Sequence, residues 1–334
     1  MQIGLLTTSF PRHAGDYAGS FVGDRARRLV EEGHRVEVLA AGDGPEVVCE
    51  GPLTIRRIPA ASLFYGEGAP EVLERGGVAW LAALRFLAGL GAAARARASA
   101  WDAVESHWLV PSALAASAAA PRHPRRAFAH SGDVALLERI SFGGAIARRL
   151  AGDGTDLRFV SVDLQARFAR LAGRATIGTV EALAVPPSLF APRAGPDLAL
   201  RRRLGLDAPT VLAVGRLVPI KGHAALLHAC ARGRARSSAR RKPEVVIVGD
   251  GPERAHLRRL ATALEVPLRL VGAVPRAEVA AWLRAADLFA HPSIRLPNGR
   301  TEGAPIAARE ARAVGIPVIA SSDIGALADA IARL

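Results

Sequence analysis

The residues with the clearest chemical purpose lie near the C-terminus, in the run Glu302-Gly303-Ala304-Pro305-Ile306-Ala307-Ala308-Arg309-Glu310, followed by Gly315-Ile316-Pro317-Val318. A glycine and then a proline ahead of an Ala-rich stretch leave amide hydrogens free at the start of a helix, where the dipole also favours an anion. A pyrophosphate fits that mouth. Glu302 and Glu310 stand on the order of 10 Å apart along such an element. Two carboxylates at either end of a diphosphate can each accept hydrogen bonds from hydroxyls while neither touches the phosphates that would repel it.

A second run, Val214-Gly215-Arg216-Leu217-Val218-Pro219-Ile220-Lys221-Gly222, offers the matching cations. A departing nucleoside diphosphate gathers negative charge as its bond to the sugar breaks, and fixed cations in a dry site lower that barrier without a metal. About 3 kcal/mol of such stabilisation is roughly a hundredfold in rate. The run is not a P-loop, because the Gly-x4-Gly-Lys-Ser/Thr spacing is absent. Lys221 is one of only two lysines in the chain, which singles it out from a surface crowded with arginine. In the N-terminal half, His107 in Ser106-His107-Trp108 and His130 in Ala129-His130-Ser131-Gly132-Asp133 each end an expected strand. His107 is read as an acceptor-side or structural residue. Gly19 and Ser20 precede the first expected helix, where a glycine backbone can approach a ligand closely. Gly249-Asp250-Gly251-Pro252 is read as a packing turn and left out of the site.

Taken together, these runs resemble the Glu-x7-Glu signature and its companions in family 4 (group 1) glycosyltransferases, and the likeness extends over nearly the whole chain. The resemblance implies the GT-B fold, retention of anomeric configuration and a nucleotide diphosphate sugar as donor. It implies that Glu302 contacts the donor sugar, Glu310 the ribose, and Arg216 and Lys221 the diphosphate, with the amides of Gly303, Ala304, Pro305 and Ile306 around the pyrophosphate and Gly215, Gly19 and Ser20 lining the donor site. It also implies that His130, in a His-x-Gly-Asp-like segment, orients the donor sugar or stabilises charge at the anomeric centre. Where relatives continue with a further helix, this sequence ends at Leu334.

The elements that must hold these residues read as two α/β units. Apolar strand patterns at Ile3–Thr7, Val36–Ala40, Ala103–Glu105, Arg126–His130 and Arg158–Val162 alternate with helical ones. The first helix is expected from Ser20, as N-cap, to Glu32, with Gly33 in the left-handed position beyond it. A Pro-rich break from Pro186 to Pro196 suits neither helix nor strand, and the cycle restarts with strands at Thr210–Val214, Glu244–Val248, Leu268–Val271, Asp287–His291 and Ile316–Ala320. This alternation predicts two Rossmann-like, doubly wound parallel-sheet domains, 1–190 on the acceptor side and 191–334 binding the donor nucleotide, facing each other across a cleft.

Composition narrows the function further. The net charge of +13 is carried almost entirely by arginine and attracts anionic partners, phosphates and anionic lipid among them. No finger, stacking set or basic heptad helix supports nucleic-acid binding. Cys49 and Cys230 are far apart and provide neither a disulfide framework nor metal-ligand spacing, so no metal and no cofactor beyond the donor is expected. Met1–Thr7 reads as a strand rather than a signal peptide, which predicts a cytoplasmic enzyme, peripheral at the inner face of the membrane when its acceptor is lipid-linked. Val78–Ala94 is the most apolar stretch, but Arg85 interrupts it and it falls short of the ~20 residues of a bilayer span. Arg232–Arg241 is read as a solvated basic loop. The acceptor, whether glycan, lipid-linked or a small molecule, stays open. The rival readings are a nucleotide-sugar epimerase on the same architecture, which needs an acid and a base rather than this Glu pair, and a non-catalytic sugar-nucleotide binding protein.

Overall fold

The computed structural model describes residues 1–13, 16–65, 72–73, 76–238, 240–297, 302 and 305–334. The chain divides between Ala184 and Val185 into two compact units. This division falls before the expected 190/191 boundary, because Phe190 is fully buried in the core of the second unit, with Val185 and Leu189 packed against the same cluster.

The first unit is an eight-stranded sheet in the order β3-β4-β2-β1-β5-β6-β7-β8. Its strands are β1 (Gln2–Leu6), β2 (Arg35–Gly42), β3 (Glu46–Glu50), β4 (Leu53–Pro59), β5 (Ala103–His107), β6 (Arg125–Ala129), β7 (Asp156–Phe159) and β8 (Thr179–Val180). All neighbours are parallel except β3 and β4, an antiparallel hairpin at the edge. The central strands bury both faces: Val36, Val38 and Ala40 join one cluster with Ile3 and Leu5, while Leu39 and Ala41 join another with Leu6. That is why they read as continuous apolar runs, as parallel strands covered on both sides do. The helix Ser20–Glu31 begins one position earlier than expected: Gly19 is the N-cap, in the left-handed region at φ 68°, and Ser20 is the first helical residue. Gly33 has φ 87°, as the end of a helix requires.

The apolar stretch from Val78 forms a longer helix than its sequence suggests. It runs to Arg97 and continues through the 3-10 turn Ala98–Ala100. The resulting 23 residues are long and apolar enough, by length and composition, to cross a membrane. Phe86, Leu90 and Ala94 are buried in the first unit's core, while Val78, Leu81 and Leu84 are exposed.

The second unit is an all-parallel five-stranded sheet, β11-β10-β9-β12-β13, with β9 (Thr210–Val214) at its centre, between β10 (Glu244–Val248) and β12 (Leu288–His291), and β11 (Leu268–Gly272) and β13 (Val318–Ala320) at the edges. Again successive residues serve opposite faces, Val211 and Ala213 in one cluster and Leu212 in the other. The first half of the basic tract is helix rather than loop. Arg232, Arg234 and Arg236 lie in the last turns of the helix His223–Arg236, where its dipole favours cations, and Arg236 pairs with Asp329 at 2.7 Å.

The loops after β9 and β10 lie backbone against backbone. Gly249 has φ 145°, and a Cβ added there would sit 1.9 Å from the Gly215 carbonyl oxygen. The Gly215 N–H donates to Val248 and the Leu217 N–H to Asp250, both at 2.9 Å.

Candidate active site

The second unit gathers its functional side chains beyond the carboxyl ends of β9 and β12. After β9 the backbone turns at Gly215, where a Cβ would lie 3.1 Å from the Lys221 Cε, so the glycine leaves room for the lysine stem. Pro219–Lys221 forms a 3-10 turn ended by Gly222 at φ 67°. A Cβ at Gly222 would fall 2.0 Å from the Pro292 carbonyl oxygen, and the Ile294 N–H donates to the Ile220 carbonyl at 3.0 Å. Thus the loop after β9 is seated on the loop after β12.

This seating brings Lys221 to Glu302. Nζ lies 2.5 Å from Oε1, while Oε2 is 2.8 Å from His291 Nε2 and accepts the Ser293 hydroxyl at 2.9 Å. Ser293 Oγ is also 2.9 Å from His291 Nε2. With the single serine proton committed to Glu302, the imidazole must carry its hydrogen on Nε2. Burial alone would raise the Glu302 pKa, but the His291 hydrogen bond and the Lys221 charge hold the carboxyl well below its ordinary range. His223, at the start of the next helix, is pushed down to about 4 by burial and then by the Lys221 charge, so its ring is neutral. Its Nε2 lies 3.2 Å from the Arg216 carbonyl oxygen. Arg216 itself is half-buried.

Glu310 has different surroundings from Glu302. It is buried in the helix Ile306–Val314 and takes both Arg276 Nε (2.8 Å) and Arg276 Nη2 (2.5 Å) on Oε1. Burial raises its pKa despite that cation. Arg276 in turn stacks over the Phe190 ring, 5.3 Å from its centroid. Arg276 thus meets one of the two oxygens of the expected hydroxyl acceptor. Pro305 caps this helix and Ile306 is its first residue; Gly303 and Ala304 lie outside the described residues.

In the first unit, His107 and His130 end β5 and follow β6, with His107 Nδ1 3.3 Å from His130 Nε2. His130 caps the helix Ser131–Arg139 in a capping box with Asp133. Because its other ring nitrogen faces the Asp133 N–H, His130 carries its hydrogen on Nε2 and directs it at His107. His107 Nε2 lies 3.4 Å from Glu105, and Arg25 clasps that carboxylate through Nε and Nη2 at 2.8 and 2.7 Å. Burial raises the Glu105 pKa, but the Arg25 and His107 hydrogen bonds reverse the effect and hold it at about 2. Burial, then the neighbouring His107, pushes His130 well below its ordinary value. His130 therefore meets its own chain on both ring nitrogens. Gly19 likewise makes its close approach to the protein, since a Cβ there would lie 2.2 Å from the Ser9 carbonyl oxygen.

Sequence reasoning misses His291, Ser293, His223, Arg276, Glu105 and Arg25. The one available signal was positional: His291-Pro292-Ser293 follows the strand that neighbours β9, where ligands of such sheets bind.

Residues 199–333 match the family described as Glycosyl transferases group 1. The chain is 39% identical over 194 residues to a GDP-mannose-dependent alpha-(1-6)-phosphatidylinositol monomannoside mannosyltransferase of Mycobacterium tuberculosis, covering 54% of this chain and 48% of that protein. The chain thus spans about half the length of this relative. It is 28% identical to the putative colanic acid biosynthesis glycosyltransferase WcaL of Salmonella typhimurium, over 97% of this chain and 83% of that one. Among solved structures, sucrose-phosphate synthase from Thermosynechococcus elongatus superposes with a TM-score of 0.73 at 18% identity, over 99% of this chain and 89% of that one. Anabaena Alr3699/HepE in complex with UDP and glucose superposes with a TM-score of 0.68 at 19% identity, over 100% and 89%. The parallel sheets, the Lys221–Glu302 pair at their strand ends and these likenesses lead to one conclusion: the chain has the GT-B fold, and its residues 199–333 are similar to the group 1 glycosyltransferases.

Proposed function

We propose that this chain transfers a sugar from a UDP- or GDP-linked donor to an acceptor in glycan, glycolipid or polysaccharide synthesis, with retention of anomeric configuration and without a metal cofactor. The observation that carries the reading is Glu302, ionised and held between Lys221, His291 and Ser293 beyond the carboxyl ends of two neighbouring strands. An ammonium has three donors, so Lys221 can keep its bond to Glu302 and still meet a phosphate oxygen. Because it is already in place, it stabilises the charge that collects on the leaving diphosphate without reorganising. His291 and Ser293 hold the far oxygen of Glu302, which fixes the carboxylate as an acceptor for a donor-sugar hydroxyl. Arg216, on the same loop, is assigned to the diphosphate.

The relatives support this choice of chemistry. The mycobacterial relative is named for GDP-mannose and a phosphatidylinositol mannoside, and the Anabaena protein was solved with UDP and glucose. A lipid-linked acceptor would place the enzyme in the cytosol, at the inner face of the membrane.

The test is turnover of UDP- and GDP-sugars with cell extract as the acceptor source, with and without chelator. Glu302→Gln and Lys221→Ala should each lower kcat/KM about a hundredfold, near 3 kcal/mol, and chelator should leave the rate unchanged. A nucleotide at about a hundred times its Kd should add roughly 2.7 kcal/mol to stability. Undiminished turnover in Glu302→Gln overturns the assignment, and conversion of the donor without acceptor replaces it with epimerisation.

A further inference from the structure

Arg25 and Arg276 each clasp a buried glutamate, but in different ways. Arg25 meets Glu105 fork to fork, Nε on Oε1 and Nη2 on Oε2, the geometry that engages both carboxylate oxygens. Arg276 instead places Nε and Nη2 on one and the same oxygen, Glu310 Oε1. Glu310 Oε2 therefore meets no donor among the described residues.

Folding stability is a poor reason for this pair. Arg276 is the first residue of the helix Arg276–Ala285, where the dipole disfavours a cation. Glu310 is only 4% exposed, and a buried ion pair commonly contributes no more to folding than apolar side chains of the same volume. The guanidinium nevertheless has a fixed seat. It lies over Phe190, whose ring is 1% exposed and packed in the second unit's core. Burial raises the Glu310 pKa and Arg276 opposes the rise, so the arginine also favours the acceptor form of the carboxylate.

The result is a rigid seat, a cation and a carboxylate with one oxygen committed and one spare. An ionised carboxylate only accepts hydrogen bonds, and a buried acceptor left without donors costs free energy. The helix Ile306–Val314 begins four residues after Glu302 and carries Glu310 about one turn in. A nucleoside diphosphate sugar bears hydroxyls on both sides of its diphosphate, on the sugar and on the ribose. With Glu302 assigned to the sugar and Lys221 to the diphosphate, the ribose diol is the ligand's other set of hydroxyl donors.

We propose that Arg276 and Phe190 are positioning residues that hold Glu310 by one oxygen so that the other selects a ribose diol, making the site specific for ribonucleotide over deoxyribonucleotide donors. The proposal rests on the glycosyl-transfer reading. Neither residue needs to touch the nucleotide: Arg276 acts through Glu310, and Phe190 acts through Arg276. The Pro-rich segment that contains Phe190 thereby contributes to donor recognition as well as joining the two units.

The experiment is isothermal titration calorimetry on the full chain with UDP, GDP and their 2′,3′-dideoxy counterparts. Wild type should bind at least one ribonucleotide roughly tenfold or more tighter than its dideoxy counterpart, because hydrogen bonds to a charged oxygen are lost. Arg276→Met keeps an apolar stem over Phe190 and removes the donors. It should weaken ribonucleotide binding about fivefold or more and change the dideoxy Kd less than about twofold, whereas a merely structural role would weaken both alike. Phe190→Leu keeps the guanidinium but takes away its seat, and it serves where Arg276→Met does not fold; it should narrow the ribose preference about twofold or more. A ribose preference unchanged in either variant, equal loss of both nucleotides in Arg276→Met, or wild-type binding that ignores the ribose hydroxyls overturns the proposal alone. Absence of any nucleotide binding in wild type overturns the donor reading and the proposal with it, so the two failures are told apart.

Discussion

Glu302 and Glu105 are both carboxylates clasped by cations, yet they do different work. Glu302, ionised far below neutral pH, cannot supply an acid limb to the activity, so loss of activity on acidification should trace to other groups. Glu105 is a structural case and can be tested by stability. Its folded pKa is depressed from 4.5 to about 2, so its contribution is complete above pH 4.5 and lost as the pH falls towards 2. The shift corresponds to about 3 kcal/mol. Glu105→Gln should lie below wild type in calorimetry at pH 7, with the gap closing as the pH falls through 4.5 towards 3; a gap independent of pH would remove the linkage. At this scale Lys221 and Glu302 were legible, the first by its rarity and the second by its motif. His291, Ser293 and Arg276 were not, because a histidine after a strand and an arginine among 42 carry no local pattern, and only the tertiary seating of one loop on another brings them to a carboxylate. Glu310 shows the converse: spacing placed it on a helix, as found, but could not reveal that Arg276 meets its Oε1.

At the level of elements, the buried parallel strands were legible because both faces pack and most of their residues are apolar. The β3–β4 hairpin was overlooked, since Glu46, Glu50, Arg56 and Arg57 interrupt its apolar residues and an edge strand needs only one covered face. The start of the Ser20–Glu31 helix was misplaced by one residue because Gly19, rather than a serine side chain, makes the turn. The membrane-length helix beginning at Val78 was undercounted for a different reason: Arg85 looks like an interruption in sequence, yet on the helix it lies exposed, and the last turn runs on to Arg97, which reaches Glu37 at 3.0 Å. Glycine crossings give the sharpest element-scale prediction. Gly249→Ala would force a Cβ into the Gly215 carbonyl at an unfavourable φ, and should cost at least about 2 kcal/mol, read as a fall of several degrees in Tm. A neutral Gly249→Ala would mean that the two loops are not in backbone contact.

Across the whole molecule, the net charge of +13 is a long-range property that no single residue explains. Attraction between it and an anionic bilayer is screened within a Debye length, about 10 Å at 0.1 M salt and about 3 Å at 1 M. Co-sedimentation with phosphatidylglycerol vesicles should therefore be strong at low salt and abolished near 1 M, while phosphatidylcholine vesicles bind little; equal binding to both would assign the contact to apolar residues such as Val78, Leu81 and Leu84 instead. The two-unit organisation was legible from the Pro-rich break, but its exact place was not, because Phe190 belongs by packing to the domain that follows it. The crossing of the β9 and β10 loops has a further consequence for anyone who redesigns this chain. In a saturation library, Gly249 should prove as intolerant as a residue that holds the substrate, although the constraint arises from one carbonyl oxygen of its own backbone. Intolerance to replacement there would be a signature of loop geometry, and treating it as a donor contact would send an engineer seeking new specificity to the wrong position.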